Sequence, residues 1–262
     1  MRIACIGDNC IDSYDDSGLA FPGGNPVNVA VYTKRLGGEA SYVGAVGSDE
    51  HGRLLLSALE SKGVDVSRVR VCEGSTAVSH VTIVNGDRIF GEYDEGVMAD
   101  FRPSEEDIDF LCAHDLVVTS LWGHSECALA RVRARGVLTA FDASESPYAE
   151  AAKLALPHSD VFFFSDDRSG VPELENKLRA LKTDCPGVVV VMRGGAGSMA
   201  FDGTKFFMQG IVPCAVVDTI GAGDSFIAGF LLSLLGGEPI PHCMASGAKN
   251  AAVTIGYSGA WE

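Results

Sequence analysis

Three small residues and a carboxylate, Gly221-Ala222-Gly223-Asp224, stand just before a strongly apolar run over residues 226–235. The run is apolar around most of a helical circumference, which predicts a helix buried inside the molecule. Small residues at the start of such a helix leave backbone N–H groups open to an anion, and the helix dipole favours negative charge there. A carboxylate in that place repels a bound phosphate. It makes sense if it takes a proton from a hydroxyl while the N–H groups hold a transferring phosphoryl group. The competing reading is a plain helix cap, a role aspartate also fills.

A second glycine-rich stretch decides between them. Phe21-Pro22-Gly23-Gly24-Asn25-Pro26-Val27-Asn28 opens another apolar helix. Asn28 lies three residues past Asn25, too deep to be the cap, and its amide carries both a donor and an acceptor suited to a sugar hydroxyl. A third element, Gly7-Asp8-Asn9-Cys10-Ile11-Asp12, places two carboxylates at the end of the first strand. Ligands of parallel sheets gather at such ends.

The elements that must position these residues alternate. Strand-like runs at 3–7, 40–46, 116–120, 137–141, 161–164 and 188–192 are interleaved with helix-like runs at 25–36, 52–62, 125–135, 147–156 and 172–181. This predicts a single α/β domain over residues 1–262, with helices on both faces of a mostly parallel sheet. Cys214-Ala215-Val216-Val217 reads as a strand end leading into the glycine-rich corner. One region breaks the rhythm. Residues 77–84 and 87–93 alternate in polarity around Asn85-Gly86, a strong hairpin signal. Such a ribbon covers a site as a lid, pairs with a second subunit, or is an edge hairpin.

A net charge of −15 over 262 residues argues against a nucleic-acid or anionic-membrane partner. No apolar run approaches the roughly 20 residues of a membrane span. The first residues turn polar too early for a signal peptide, and the eight cysteines sit singly, with no CxxC pair. A reducing, cytoplasmic setting is expected, with the cysteines as small core residues.

Asp218-Thr219-Ile220-Gly221-Ala222-Gly223-Asp224 and Gly23-Gly24-Asn25-Pro26-Val27-Asn28 together resemble the two signatures of the PfkB, or ribokinase-like, carbohydrate kinases, and the order of elements matches over essentially the whole chain. The resemblance implies a three-layer α/β/α sandwich and an ATP-dependent sugar kinase. A β-ribbon lid is implied within 72–95, with a short contribution near 13–21, and it usually makes the protein a homodimer. It casts Asp224 as the base and Gly221, Ala222 and Gly223 as the anion hole. Asp12, Gly23, Gly24 and Asn28 fall at sugar-binding positions, and Arg193, Gly194, Gly195 and Gly197, with Gly223, at nucleotide-binding ones. In related kinases the segment matching Asp218 to Ile220, and the loop near 256–259, lie beside a potassium ion.

The family's Asn-x-x-Glu motif is replaced by Ser165-Asp166-Asp167-Arg168, so Mg2+ is expected at Asp166 or through water. Met192-Arg193 stands where Thr-Leu is usual. Within the family, residues 7–12, 28–32, 90–101 and 257–261 resemble kinases acting on the 6-hydroxyl of fructosyl-amines. Glu92 and Glu95, at the end of the ribbon, are the expected partners of the substrate amine; the competing reading is a solvated strand end. The alternatives are a PfkB-type kinase for fructose, ribose or a nucleoside, or a non-catalytic sugar-binding regulator. A dinucleotide enzyme lacks its G-x-G-x-x-G after the first strand, and with no Gly-Lys step there is no P-loop.

Overall fold

The computed structural model describes residues 1–14, 18–84 and 87–261. The chain opens with β1 (Arg2–Ile6), then β2 (Cys10–Tyr14) and β3 (Leu19–Gly23), which pair antiparallel, and α1 (Asn25–Arg35). β4 (Glu39–Gly47), α2 (Glu50–Ser61) and β5 (Asp65–Cys72) follow. β6 (Val78–Val84) and β7 (Asp87–Asp94) form the alternating ribbon, antiparallel up to the Val84–Asp87 pair; the Asn85-Gly86 turn lies outside the described residues. The alternation then resumes through α3 (Glu105–Leu111), β8 (Leu116–Ser120), α4 (Glu126–Ala134), β9 (Leu138–Asp142) and α5 (Glu150–Ala155). β10 (Val161–Ser165), α6 (Val171–Lys182), β11 (Val188–Met192), β12 (Ser198–Phe201) and β13 (Phe206–Gln209) lead to α7 (Ala222–Leu235) and α8 (Ile240–Thr254).

The main sheet is nine-stranded, in the order β13-β12-β11-β10-β9-β8-β1-β4-β5. It is parallel from β11 to β5, with β12 and β13 added antiparallel at one edge. Strand periodicity divides its side chains between two cores. Phe163 joins the face under α1, α7 and α8, whereas Phe162 and Phe164 join the face under α4 and α6. Phe163 meets Phe230 of α7 edge-on at 5.3 Å. Each fully buried phenylalanine is worth about 1.5–3 kcal/mol.

α7 is apolar all round because α8 covers its other side. The two approach closely through glycines: a Cβ at Gly229 would lie 2.8 Å from the Ser246 carbonyl oxygen.

A second, four-stranded sheet has the order β3-β2-β6-β7, with β2 and β6 parallel. β6 and β7 lie within the expected 72–95, whereas the early part takes in residues from Cys10 onward and is longer than expected. Leu19, Phe21 and Tyr93 are exposed on this sheet.

Two expectations are overturned. Residues 214–217 are not a strand: Val216 and Val217 are exposed, and the Val217 N–H donates to Ile255 O beyond α8 rather than to a ladder. β-branched residues show the same propensity whether or not a neighbouring strand is available. Of the cysteines, Cys5, Cys10, Cys185 and Cys243 are buried, but Cys127 and Cys214 are exposed.

Candidate active site

Gly221 caps α7 with φ 72°, a left-handed conformation that glycine adopts without strain. Any side chain there would also run into the Tyr32 hydroxyl. The corner therefore turns sharply and places Asp224 in the first turn of α7. On the facing side Gly24 caps α1 with φ 106°, and a Cβ on it would lie 2.6 Å from the Asn9 Cα. Pro26 follows in the first turn, where its missing N–H costs nothing. The two corners thus bring Asn28 and Asp224 together: Asn28 Nδ2 donates to Asp224 Oδ2 at 2.7 Å. Trp261 Nε1 in turn donates to Asn28 Oδ1 at 2.8 Å.

Further carboxylates close in from the strand ends. Asp8 accepts from the Asn25 backbone N–H at 3.0 Å and from the Ser120 hydroxyl. Asp142, ending β9, accepts from Asn25 Nδ2 at 2.6 Å and from the Ser144 N–H at 3.0 Å. Asp12 lies against Gly23, where a Cβ would come within 2.7 Å of Asp12 Oδ2. Asn9 plays another part, donating to the Tyr42 hydroxyl and Ala45 O, both at 2.8 Å.

Burial and mutual repulsion load this cluster. Burial pushes the Asp224 pKa well above the usual carboxylate range, Asp142, Asp8 and Asp12 push the same way, and the Asn28 amide opposes them. Burial likewise raises Asp8, and lifts Asp142 to about 6. Among the described residues these acids do not form a metal cage.

At the ribbon end the sequence expectations separate. Glu95 meets His124 Nε2 at 3.0 Å. Tyr93 is raised in pKa by burial and then by Asp8, Cys10, Glu95 and Asp12, which places it beside the cluster. Strand alternation turns the exposed Glu92 to the other face, so the structure does not bring Glu92 into the site.

On the far side of the α7 corner lies a cavity of about 880 Å3, floored by Met192, Phe226 and Ala251 and reaching Ala222 and Gly223. Gly194, Gly195 and Gly197 line it, whereas Arg193 is not among the lining residues and closes the turn by donating its backbone N–H to Gly197 O at 2.8 Å. Asp166 borders the same cavity. Its carboxylate is taken up by Lys177 Nζ at 2.8 Å and by the N–H groups of Ser169 and Arg168. Burial works to raise its pKa, but Lys177 and those N–H groups outweigh it and bring it down to about 2. In this structure the Asp166 carboxylate, the expected magnesium partner, is engaged by Lys177. Asp218, buried, accepts from the Ile220 N–H at 3.1 Å and the Gly259 N–H at 2.6 Å, tying the glycine-rich corner before α7 to the segment after α8.

A helix start shared by a carboxylate-lined site and a large cavity is the geometry of group transfer between two substrates. The profile of the pfkB family carbohydrate kinases matches residues 9–262. The chain belongs to that family. It is a sugar kinase, and a kinase of this family uses ATP. It is 44% identical to fructoselysine 6-kinase of Escherichia coli (strain K12), over 99% of both chains. It is 34% identical to the fructosamine kinase FrlD of Bacillus subtilis (strain 168), over 100% of this chain and 93% of that one. The Arabidopsis thaliana ribokinase complexed with ribose and ATP superposes with a TM-score of 0.88 at 21% identity, covering 98% of this chain and 93% of the other, which shows the ribokinase-like fold.

Asp142, Tyr93, Lys177 and Trp261 were not singled out from the sequence. Asp142 had a signal, because it ends a parallel strand on the edge where ligands gather.

Proposed function

We propose that this protein transfers the γ-phosphoryl group of ATP to the 6-hydroxyl of a fructosyl-amine, with fructoselysine as the substrate. One observation carries the reading: Asp224, held by Asn28, stands at a helix start that opens on one side to the acid cluster and on the other to the cavity. The names of the 44% and 34% identical relatives supply the sugar class.

Asp12, Gly23, Gly24 and Asn28 bind the sugar and turn its 6-hydroxyl toward Asp224. Asp224 takes the hydroxyl proton as the new O–P bond forms and the bond from the γ-phosphorus to the bridging oxygen breaks, ADP leaving with that electron pair. The backbone N–H groups of Gly221, Ala222 and Gly223, with the α7 dipole, receive the charge of the transferring phosphoryl group. The nucleotide occupies the cavity against Gly194, Gly195 and Gly197, and Mg2+ would enter with it as the counter-ion of its phosphates. A coupled assay of ADP release over a panel of fructosyl-amines, fructose and ribose tests the reading; turnover of ribose or fructose alone would overturn it.

The ribbon sheet acts as the lid and pairs two subunits, which the exposed Leu19 and Phe21 favour. Shortening it across residues 84–87 is expected to raise ATP hydrolysis without sugar, because water then reaches the transfer site. Unchanged kinetics and unchanged mass in solution would reduce the ribbon to scaffolding.

The corner at Asp218 and Ile220 would hold a potassium ion bracing the anion hole, with the buried Asp218 carboxylate supplying the negative field. Turnover is expected to fall in sodium- and potassium-free buffer, and equal rates with and without potassium would remove the ion from the scheme. The unpaired cysteines suit a cytoplasmic setting.

A further inference from the structure

We propose that Trp261 is a positioning residue for the phosphoryl-transfer base: its indole N–H fixes the orientation of the Asn28 amide so that the amide NH2 group, not its oxygen, faces Asp224. The inference rests on the reading of Asp224 as that base. An indole N–H only donates, and an ionised carboxylate only accepts. Between them an amide has one satisfactory orientation, with Oδ1 toward Trp261 at 2.8 Å and Nδ2 toward Asp224 at 2.7 Å. The flipped amide would set oxygen against carboxylate and NH2 against N–H. Asn28 is buried in α1, where solvent cannot easily replace a lost partner.

The segment carrying Trp261 is strapped down at several points. Gly259 N–H donates to Asp218 Oδ2 at 2.6 Å, and the Tyr32 hydroxyl donates to Ala260 O. Arg35 donates to the Tyr257 hydroxyl at 2.6 Å, and Lys62 lies 6.0 Å from the Trp261 ring. One strap therefore touches both halves of the catalytic corner: Asp218 beneath the anion hole and, through Asn28, the base. The Asn28 donor favours the ionised form of Asp224 against the groups that face it, which are Asp142 from β9, Asp8 after β1, Cys10 and Asp12 of β2, and Tyr32 of α1. Without Trp261 the flipped amide no longer sets NH2 against an indole N–H, and its oxygen can accept from a protonated Asp224. The bias toward the ionised form weakens, and the pKa of Asp224 rises.

The sign follows directly. The acid limb of the kcat/KM profile, where protonation silences the base, moves to higher pH. Trp261→Phe is expected to shift that limb up by about half to one unit, with kcat at neutral pH falling about threefold to tenfold and KM for ATP unchanged. Benzothienylalanine at position 261 keeps the ring shape and removes only the N–H, so it reads the same effect if the Phe variant folds poorly. Asn28→Leu should produce the same shift, and combining it with Trp261→Phe should add nothing further.

A readout independent of turnover is available because Trp122 and Trp261 are the two tryptophans. In a Trp122→Phe background, Trp261 emission should titrate with Asp224 in the absence of substrate and stop doing so in Asp224→Asn. An unmoved acid limb in both position-261 variants, or a shift that adds to that of Asn28→Leu, would overturn the inference. Retained turnover in Asp224→Asn would instead overturn the base assignment beneath it.

Discussion

Asp224→Asn is expected to fold, to bind ATP and to lose turnover by about 10²–10⁴-fold. The amide is nearly isosteric, so its oxygen can still accept from Asn28 Nδ2 in place of the carboxylate oxygen that lies 2.7 Å away. What disappears is basicity. The substitution also removes one charge from a cluster in which Asp142, Asp8 and Asp12 all raise the pKa of Asp224. Like charges in a poorly solvated place repel, so their number is a cost to folding. Tm should therefore hold steady or rise above that of the unaltered protein, which separates lost chemistry from lost structure. The measurements are single-turnover phosphoryl transfer, ATP affinity and thermal unfolding. A variant retaining more than about a tenth of the turnover would mean that Asp224 is not the base.

Both glycine-rich corners were legible in the sequence because each combines signals that agree. Gly221 and Gly24 must be glycine for their positive φ and for close approach to Tyr32 and Asn9, and an apolar helix follows each. The parallel strands were legible because burial on both faces makes each a continuous apolar run, as Val188–Met192 shows. The edge strands β12 and β13 escaped: each has only four residues, too few for a clear alternation, and they join the sheet by short antiparallel returns, β12 on β11 and β13 on β12.

Of the acid cluster, Asp8 and Asp12 were legible as two carboxylates past the first strand, but Asp142 was not. It ends β9, which β8 separates from β1 in the sheet, and no spacing along the chain records that these ends converge. Lys177 escaped because its partner Asp166 lies eleven residues away, across a turn and a helix. Trp261 reads as a lone aromatic until the fold brings it to Asn28, 233 positions away along the chain.

Fructoselysine should exceed fructose in kcat/KM by about tenfold to a hundredfold. The two differ by a secondary amine, cationic at neutral pH, and by the amino-acid group it carries. Asp8, Asp12 and Asp142 already raise the pKa of Asp224, so a cation entering their field is attracted and a neutral sugar is not. A charge-assisted hydrogen bond from the amine to Glu95 is worth about 1.5–3 kcal/mol, and each 1.4 kcal/mol is about a factor of ten. Glu95 is the acid to alter, because His124 at 3.0 Å holds it at the site while Glu92 faces away. Glu95→Gln should shrink the preference by about tenfold, and Glu92→Gln should leave it nearly intact. The measurement is kcat/KM for both sugars in all three proteins. Equal values for the two sugars in the unaltered protein would sink the fructosyl-amine assignment. A preference that survives Glu95→Gln would leave the assignment standing and move amine recognition onto Asp8, Asp12 and Asp142, which gather near Asp224.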